Sequence, residues 1–370
     1  MRRIHSLPSL LLAGGLLFTA NCPTPADDDD AGDDDATGDD DTTDPAAGVR
    51  VPAEWEAHAA TWMQWPRQVE HWSRGDHAGI IDALQEYEPV QLLVESAAAE
   101  EEARAFLEQR GVPLTNLSFH QVPYDWSWMR DNGPVWVVDG DELVVQDWGF
   151  DAWGGLDPEH ELDDAIPCWV AEQAGVRCDV LELINERGTL EFNGSDTLIT
   201  SWTCLHDRNP EVTQEEMEAL FAQAFGVTLV VWLEGAPADD VTGGHVDGIA
   251  RFIDEDTVAV ARYSNPDAPD AALYEDAATT IAAAGLDVVR LDVPGQITYL
   301  GASMSANYTN WLVANGAIIA TGFDHPQWDA AAKATIEGFF PGRDVHMVDT
   351  RELWYSGGGV HCVTNDQPAL

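Results

Sequence analysis

From about residue 51 onward, short apolar runs separated by turn residues alternate with stretches whose apolar positions fall three and four apart. Residues 134–145 place two apolar runs around Asp139-Gly140, a strong hairpin signal. The pattern recurs at 189–200 around Asn193-Gly194, at 249–260 around Asp254-Glu255-Asp256, and at 311–320 around Asn315-Gly316. Helical spacing follows at 159–173, 213–225, 268–284 and 328–339. Each of those stretches leads to a β-rich run, at 180–183, 228–232, 288–291 and 345–348. The first part of this region supplies helices at 79–87 and 98–109 and strands near 89–94 and 117–122, with no evident hairpin.

Self-similarity at a period of roughly sixty residues predicts an α/β fold of repeated ββαβ-type units closed into a radial array. Polar motifs recur at one place in the repeat. Asp131, Glu186, His245 with Asp247, and Asn310 each stand at or just before the first strand of a hairpin. Cys362 precedes no second strand, yet it ends the chain in a comparable place. In a radial array these positions converge on one axis, and residues distant in sequence share one site.

The convergent residues are chemically suggestive. Cys362 lies in Ser356-Gly357-Gly358-Gly359-Val360-His361-Cys362-Val363-Thr364, and His245 and Asp247 in Thr242-Gly243-Gly244-His245-Val246-Asp247-Gly248. Asp131 lies in Trp128-Met129-Arg130-Asp131-Asn132-Gly133-Pro134. A thiol nucleophile, an imidazole proton carrier and paired carboxylates suit attack on a cationic carbon such as that of a guanidinium. Plainer readings exist: a free Cys is usually a small buried hydrophobe, His245 could satisfy a carbonyl, and Asp131 could pair with Arg130. Asn310, Glu186, Trp128 and Trp65 are the candidates for substrate contact, although the tryptophans, with Trp126 and Trp153, could equally be core. His361 adjoins Cys362, and neighbours on a strand point to opposite faces, so it is a poor base for that thiol.

Composition alters this picture mainly at the N-terminus. The 370-residue chain is 45% apolar and carries a formal charge of -49, with aspartate runs concentrated in residues 27–44. Such a run repels itself and buries nothing, so residues 23–48 read as a disordered tether ahead of a domain at 49–370. Residues 1–22 read as an export signal: Arg2 and Arg3, an apolar stretch at 10–18, then Cys22 as the residue to be lipidated. The expectation is an exported protein, anchored at the cell envelope through lipid alone, with ordinary secretion as the alternative. The acidity excludes nucleic acid as a natural partner and favours small cations. Among five cysteines, Cys168 and Cys178 could bridge across one short helix in an oxidising compartment. No spacing suggests a zinc site, and neither a metal nor an organic cofactor is expected. Oligomeric state is open, a homodimer included.

These motifs, together with residues 52–66 and Asp147-Trp148-Gly149-Phe150-Asp151-Ala152-Trp153-Gly154-Gly155, resemble the agmatine deiminase and bacterial-type peptidylarginine deiminase family. The resemblance runs from about Pro52 to the C-terminus. It implies the guanidino-modifying (pentein) fold, a fivefold pseudosymmetric α/β propeller. It also implies hydrolysis of a terminal guanidinium to a ureido group and ammonia through a covalent thiouronium on cysteine. Cys362 resembles the family nucleophile, His245 the general acid and base, and Asp131 and Asp247 the carboxylates that hold the guanidinium. Asn310 resembles a further site residue, and Glu186 the acid of a Glu-Gly-Gly motif. In that motif Arg187 stands here where the family has glycine, which adopts conformations arginine avoids. Trp126 stands where the family often has an acid, one residue after the acid matched by Asp125, and Asp151 replaces a common Asn. The implied substrate is agmatine, with arginine in peptides as the alternative favoured by export and by Trp126. An amidinotransferase, a thiol protease and a catalytically silent cation-binding lipoprotein remain the other classes.

Overall fold

The computed structural model describes residues 48–238 and 240–370. Cys22, the export segment and the aspartate run lie outside the described residues. The described chain forms five units around a pseudo-fivefold axis. In each, a hairpin's second strand continues through a helix into a third strand that pairs with it in parallel.

One unit joins Val135–Asp139, Glu142–Gly149 and Arg177–Ile184, and the next joins Glu191–Phe192, Thr197–Ser201 and Leu229–Leu233. The third joins Ala250–Phe252, Thr257–Tyr263 and Asp287–Val293, and the fourth joins Trp311–Ala314, Ala317–Gly322 and Asp344–Asp349. The hairpins fall where the turn signals place them. The fourth hairpin is buried at every position, because a helix covers one face and neighbouring units the other.

The fifth unit corrects the expectation that the first part of the chain has no hairpin. Its missing strand comes from the C-terminus: Asn365–Pro368 pairs antiparallel with His58–Gln64, which runs parallel to Val90–Val94. Closure of the ring therefore places Cys362 just before a hairpin's first strand, equivalent to the other polar motifs.

The helices begin and end where local chemistry directs. Gln214–Phe225 opens on a reciprocal cap, in which the Thr213 hydroxyl accepts from the Glu216 amide and the Glu216 carboxylate accepts from the Thr213 amide. It closes on left-handed Gly226. The stretch predicted at 159–173 is instead a short turn at Glu161–Asp164 followed by a helix at Ile166–Ala174, with Pro167 in its first turn. Cys168 on that helix is disulfide-bonded to Cys178 on the following strand. A further hairpin, Gly295–Tyr299 with Ala302–Ala306, turns at Leu300-Gly301 and carries Ser303, Met304 and Ser305 to the rim of the central cavity. Among the described residues no helix is long and apolar enough to cross a membrane.

Candidate active site

The polar motifs meet at the axis. Cys362 sits in a tight 3-10 turn, His361–Val363, and the residue is 5% exposed. Its sulfur accepts from the Asn310 side-chain amide at 3.2 Å and stands 3.6 Å from Asp247 Oδ2. Gly358 makes the approach possible: a Cβ there would lie 2.7 Å from the Cys362 sulfur and from the Trp128 ring. The two motifs are also joined through the backbone, where the Arg130 N–H donates to the Cys362 carbonyl at 3.0 Å.

Asp247 is held from several sides. Its Oδ2 accepts from Asn310 Nδ2 at 3.0 Å and bonds His361 Nδ1 at 2.8 Å, while His361 Nε2 bonds Glu54 at 2.8 Å. Glu54 in turn meets Arg251 at 3.0 Å. Burial pushes the Asp247 carboxyl up, but the His361 bond and the charges of His361, His245 and Arg251 hold it down at about 2. His361 is thus no base for Cys362, as expected. The reason is different: the residue lies in a turn rather than a strand, and both ring nitrogens are committed to carboxylates.

Asp131 is supported less. It closes a turn in which its N–H donates to the Trp128 carbonyl at 2.9 Å, and Trp153 Nε1 donates to its Oδ2 at 2.9 Å. Its Oδ1 has no hydrogen-bond partner among the described residues and stands 3.5 Å from His245 Nδ1. Burial pushes the Asp131 carboxyl up to about 7, with His245 drawing it down and Asp247 adding to the rise. Asp131 does not pair with Arg130, whose guanidinium turns away to Asp366 at 2.9 Å. Ala152 and Trp153 both adopt positive φ, a costly backbone run that presents Trp153 to Asp131.

His245 lies between two carboxylates, Asp131 on one side and Glu186 on the other, with Nε2 3.5 Å from Glu186 Oε2. Burial disfavours its charge, but Asp131, Cys204 and Glu186 outweigh burial and raise the imidazole well above its ordinary range. The Cys362 thiol is also pushed well above its ordinary range, by burial first and then by the charges of Asp247 and Asp131. The free site therefore holds a neutral thiol, an imidazolium and excess acceptor capacity.

Two cavities meet at this group. One, of about 250 Å³, reaches Cys362, His245, Asp247 and Asn310 and is rimmed by Tyr274, Met304 and Trp354. The other, of about 200 Å³, reaches Asp131 between Trp126, Trp128 and Trp153, with Leu156 and Asp157 at its edge. Val241, Thr242 and Gly357 line both. Among the described residues no lysine or arginine lines either cavity.

The candidates from sequence divide accordingly. Cys362, His245, Asp131, Asp247 and Asn310 are brought together, and Trp128 forms a wall. Trp65 is not at the site: it is 1% exposed in the core, edge-on to Phe106, because its strand end packs beneath a helix rather than facing the axis. Glu186 lines neither cavity and is fully buried behind His245, with its Oε1 accepting from Arg208 Nε at 2.8 Å. It positions the imidazole rather than touching a ligand in either cavity. Arg187 causes no backbone conflict, since its φ is not in the left-handed region. The close approach belongs to Gly188, where a Cβ would lie 2.8 Å from Asp131 Oδ1 and closer still to His245 Nδ1. Trp153, Glu54, Cys204 and Arg208 were not among the candidates. The first two lie in quoted motifs, whereas nothing local marks Cys204 or Arg208.

Relatives share this arrangement of fold and sequence. The profile of the Porphyromonas-type peptidyl-arginine deiminase family matches residues 50–368. An agmatine deiminase of Pseudomonas aeruginosa (strain LESB58) is 34% identical over 368 residues, covering 88% of this chain and 96% of that protein. An agmatine deiminase of Pseudomonas fluorescens (strain Pf-5) is 34% identical over 367 residues, with the same coverage. The solved agmatine deiminase of Enterococcus faecalis superposes with a TM-score of 0.79 at 25% identity, covering 87% of this chain and 96% of that one. With its profile matched over nearly all of the described residues, the chain belongs to the Porphyromonas-type peptidyl-arginine deiminase family, within the pentein superfamily.

Proposed function

We propose that this protein hydrolyses agmatine to N-carbamoylputrescine and ammonia. One observation carries the reading: two buried carboxylates, Asp131 and Asp247, flank a buried thiol where two cavities meet, and among the described residues no lysine or arginine lines either. A planar cation with paired N–H groups supplies the missing charge and fills the open acceptor on Asp131. Its central carbon is then presented to the Cys362 sulfur. The agmatine deiminase relatives cover nearly the whole of the described chain.

As the cation enters, it offsets the carboxylate charges that hold the Cys362 proton, and the thiol gives that proton to solvent. The thiolate forms a C–S bond at the guanidinium carbon, and the C=N electron pair moves onto nitrogen. The His245 imidazolium donates its proton to the leaving nitrogen, and the C–N bond breaks as ammonia departs. The resulting S-alkylthiouronium is attacked by water, whose proton His245 now accepts. Collapse breaks the C–S bond, the adduct's hydroxyl proton passes to the departing sulfur, and the thiol and the ureido product are released. His361, bonded to Asp247 and Glu54, keeps the Asp247 carboxylate fixed throughout.

The distal ammonium of agmatine reaches the second cavity, where Trp126, Trp128 and Trp153 offer ring faces and Asp157 a carboxylate. That composition supports agmatine even though Trp126 replaces the usual acid. Ammonia and ureido release should be measured with agmatine, free arginine and an arginine peptide side by side. Agmatine should be turned over and Cys362→Ala should be inactive yet folded. Turnover of the peptide alone would replace the reading with a protein-modifying one, and no turnover of any would overturn it.

We further propose that the enzyme is tethered at the cell envelope through a lipid on Cys22, with ordinary secretion as the alternative. Arg2, Arg3, the apolar stretch at 10–18 and the aspartate run after Cys22 support this. Radiolabelled palmitate should enter the full chain and be lost in Cys22→Ala. Unchanged labelling of that variant would sink the anchor. Sedimentation of the domain tests a homodimer.

A further inference from the structure

We propose that Glu186, Cys204 and His245 form a zinc-binding site that captures the active-site imidazole from behind. These residues are separated in sequence and come together only through the fold. Glu186 opens the turn before Glu191–Phe192, Cys204 lies on the helix Trp202–Arg208, and His245 opens the turn Val246–Gly248. All three are buried, Cys204 and Glu186 completely.

Their donor atoms lie within 4.8 Å of one another. Zinc bonds of about 2.3 Å to sulfur and about 2.0–2.1 Å to nitrogen and oxygen, at tetrahedral angles, separate the donors by about 3.3–3.6 Å. The Cys204 sulfur is 3.6 Å from Glu186 Oε2, and His245 Nε2 is 3.5 Å from the same oxygen. The first is a thiol hydrogen bond donated to the carboxylate, the second exceeds a well-formed hydrogen bond between nitrogen and oxygen, and among the described residues neither His245 ring nitrogen has a hydrogen-bond partner. A buried imidazole nitrogen thus faces a carboxylate oxygen at ion-pair distance, with a thiol beside it and no hydrogen bond to either.

The surroundings orient the donors. Arg208 Nε holds Glu186 Oε1 at 2.8 Å, which leaves Oε2 turned toward Cys204 and His245. The Thr242 carbonyl, 3.6 Å from the Cys204 sulfur and bonded to Arg208 at 2.8 Å, offers a neutral oxygen on the remaining side. Fixed partners of this kind strengthen a metal site. A thiolate, an imidazole and one carboxylate select zinc over calcium or magnesium, which take oxygen donors. The two anionic donors match a dication even beside the Arg208 charge.

Binding forms a Zn–S bond as the Cys204 thiol loses its proton to solvent, and a Zn–N bond at His245 Nε2 as the imidazolium releases its Nε2 proton to solvent. With the metal on Nε2, the ring's one proton is held on Nδ1 and cannot be passed to and fro. Zinc would therefore act as a reversible inhibitor that leaves Cys362 untouched. Binding is read directly, so its outcome is independent of whether agmatine is the substrate.

The test is titration of the metal-free protein with zinc chloride against a chromogenic chelator. One equivalent should bind, at least about 100-fold weaker in Cys204→Ala and undiminished in Cys362→Ala. Cobalt(II) given to the unsubstituted protein should show a thiolate-to-metal charge-transfer band at one equivalent that survives in Cys362→Ala. The cobalt arm does not depend on the folding of the Cys204 variant. Equal zinc affinity in Cys204→Ala, or a cobalt band lost in Cys362→Ala, would overturn the assignment. The second result would seat the metal on the Cys362 thiol instead.

Discussion

Gly188→Ala isolates how much the site depends on the spacing of Asp131 and His245. A Cβ at residue 188 would lie 2.8 Å from Asp131 Oδ1 and 3.0 Å from His245 Cε1, and nearer still to Nδ1. Ordinary contact begins near 3.4 Å, so the carboxylate must retreat by about 0.6 Å and the ring by more. Both groups are side-chain ends, so the fold can yield to the methyl. Gly188 has no positive φ, so alanine adds no backbone strain and removes some freedom from the unfolded chain, worth about 0.4–1 kcal/mol. Stability should stay near that of the unsubstituted protein. Catalysis should not, because displacing a reacting group by about 1 Å costs about 100-fold. We expect kcat/KM for agmatine to fall by about 10- to 100-fold with Tm nearly unchanged. Alkylation of Cys362 by neutral iodoacetamide, which needs neither Asp131 nor His245 in place, should continue at its usual rate. Full activity in a folded Gly188→Ala protein would refute the claim that this spacing governs the reaction.

Three further outcomes follow from the same geometry. Asp131 must be a carboxylate to take the guanidinium, and burial sets it at about 7, so kcat/KM should climb as pH rises through about 7. A rise centred near the ordinary carboxyl range, about pH 4, would contradict this, and binding of a guanidinium ligand to Cys362→Ala should show the same limb. Asp157→Asn removes a partly exposed carboxylate from the second cavity and should raise KM for agmatine about two- to fivefold, from about 0.5–1 kcal/mol, with kcat little changed. An unaltered KM would remove Asp157 from the substrate's path. Reduction of Cys168–Cys178, or Cys178→Ser, should cost about 2–3 kcal/mol for so short a loop and lower Tm by several degrees, which calorimetry with and without reductant would detect.

The parts of the fold that were legible in sequence carry their signals locally. Asn193-Gly194 and Asn315-Gly316 mark hairpins because few residues accept such turns, and the structure turns there. The motif residues Asp131, His245, Asp247, Asn310 and Cys362 were legible because each sits in a distinctive run at one recurring position. Ring closure was not, since Asn365–Pro368 is polar, ends in proline and pairs with a strand some three hundred residues away in the chain. Trp65 and Trp128 read alike in sequence, and only packing separates a core ring from a wall. Cys204 and Arg208 carry no local mark, because their role comes from the helix that sets them against Glu186.

The three carboxylates about the imidazole and thiol differ in what stands behind them, and that difference assigns their work. Asp247 is backed by His361, then Glu54, then Arg251, and stays ionised. Burial pushes Glu186 up, but His245 and Arg208 outweigh it and hold it below the usual carboxylate range. Asp131 has only an indole N–H and the distant edge of His245. Arg187 follows the same logic: it lies beneath the site, its NH2 3.6 Å from Asp366 beside Arg130, and adds positive charge to the acidic core rather than to the cavity. Every guanidinium the protein spends here is turned away from the thiol. Asp131, which shares His245 with Glu186 and has no guanidinium behind it, is therefore the one that a substrate guanidinium completes, which makes Asp131, more than Asp247, the residue whose ionisation couples substrate binding to pH.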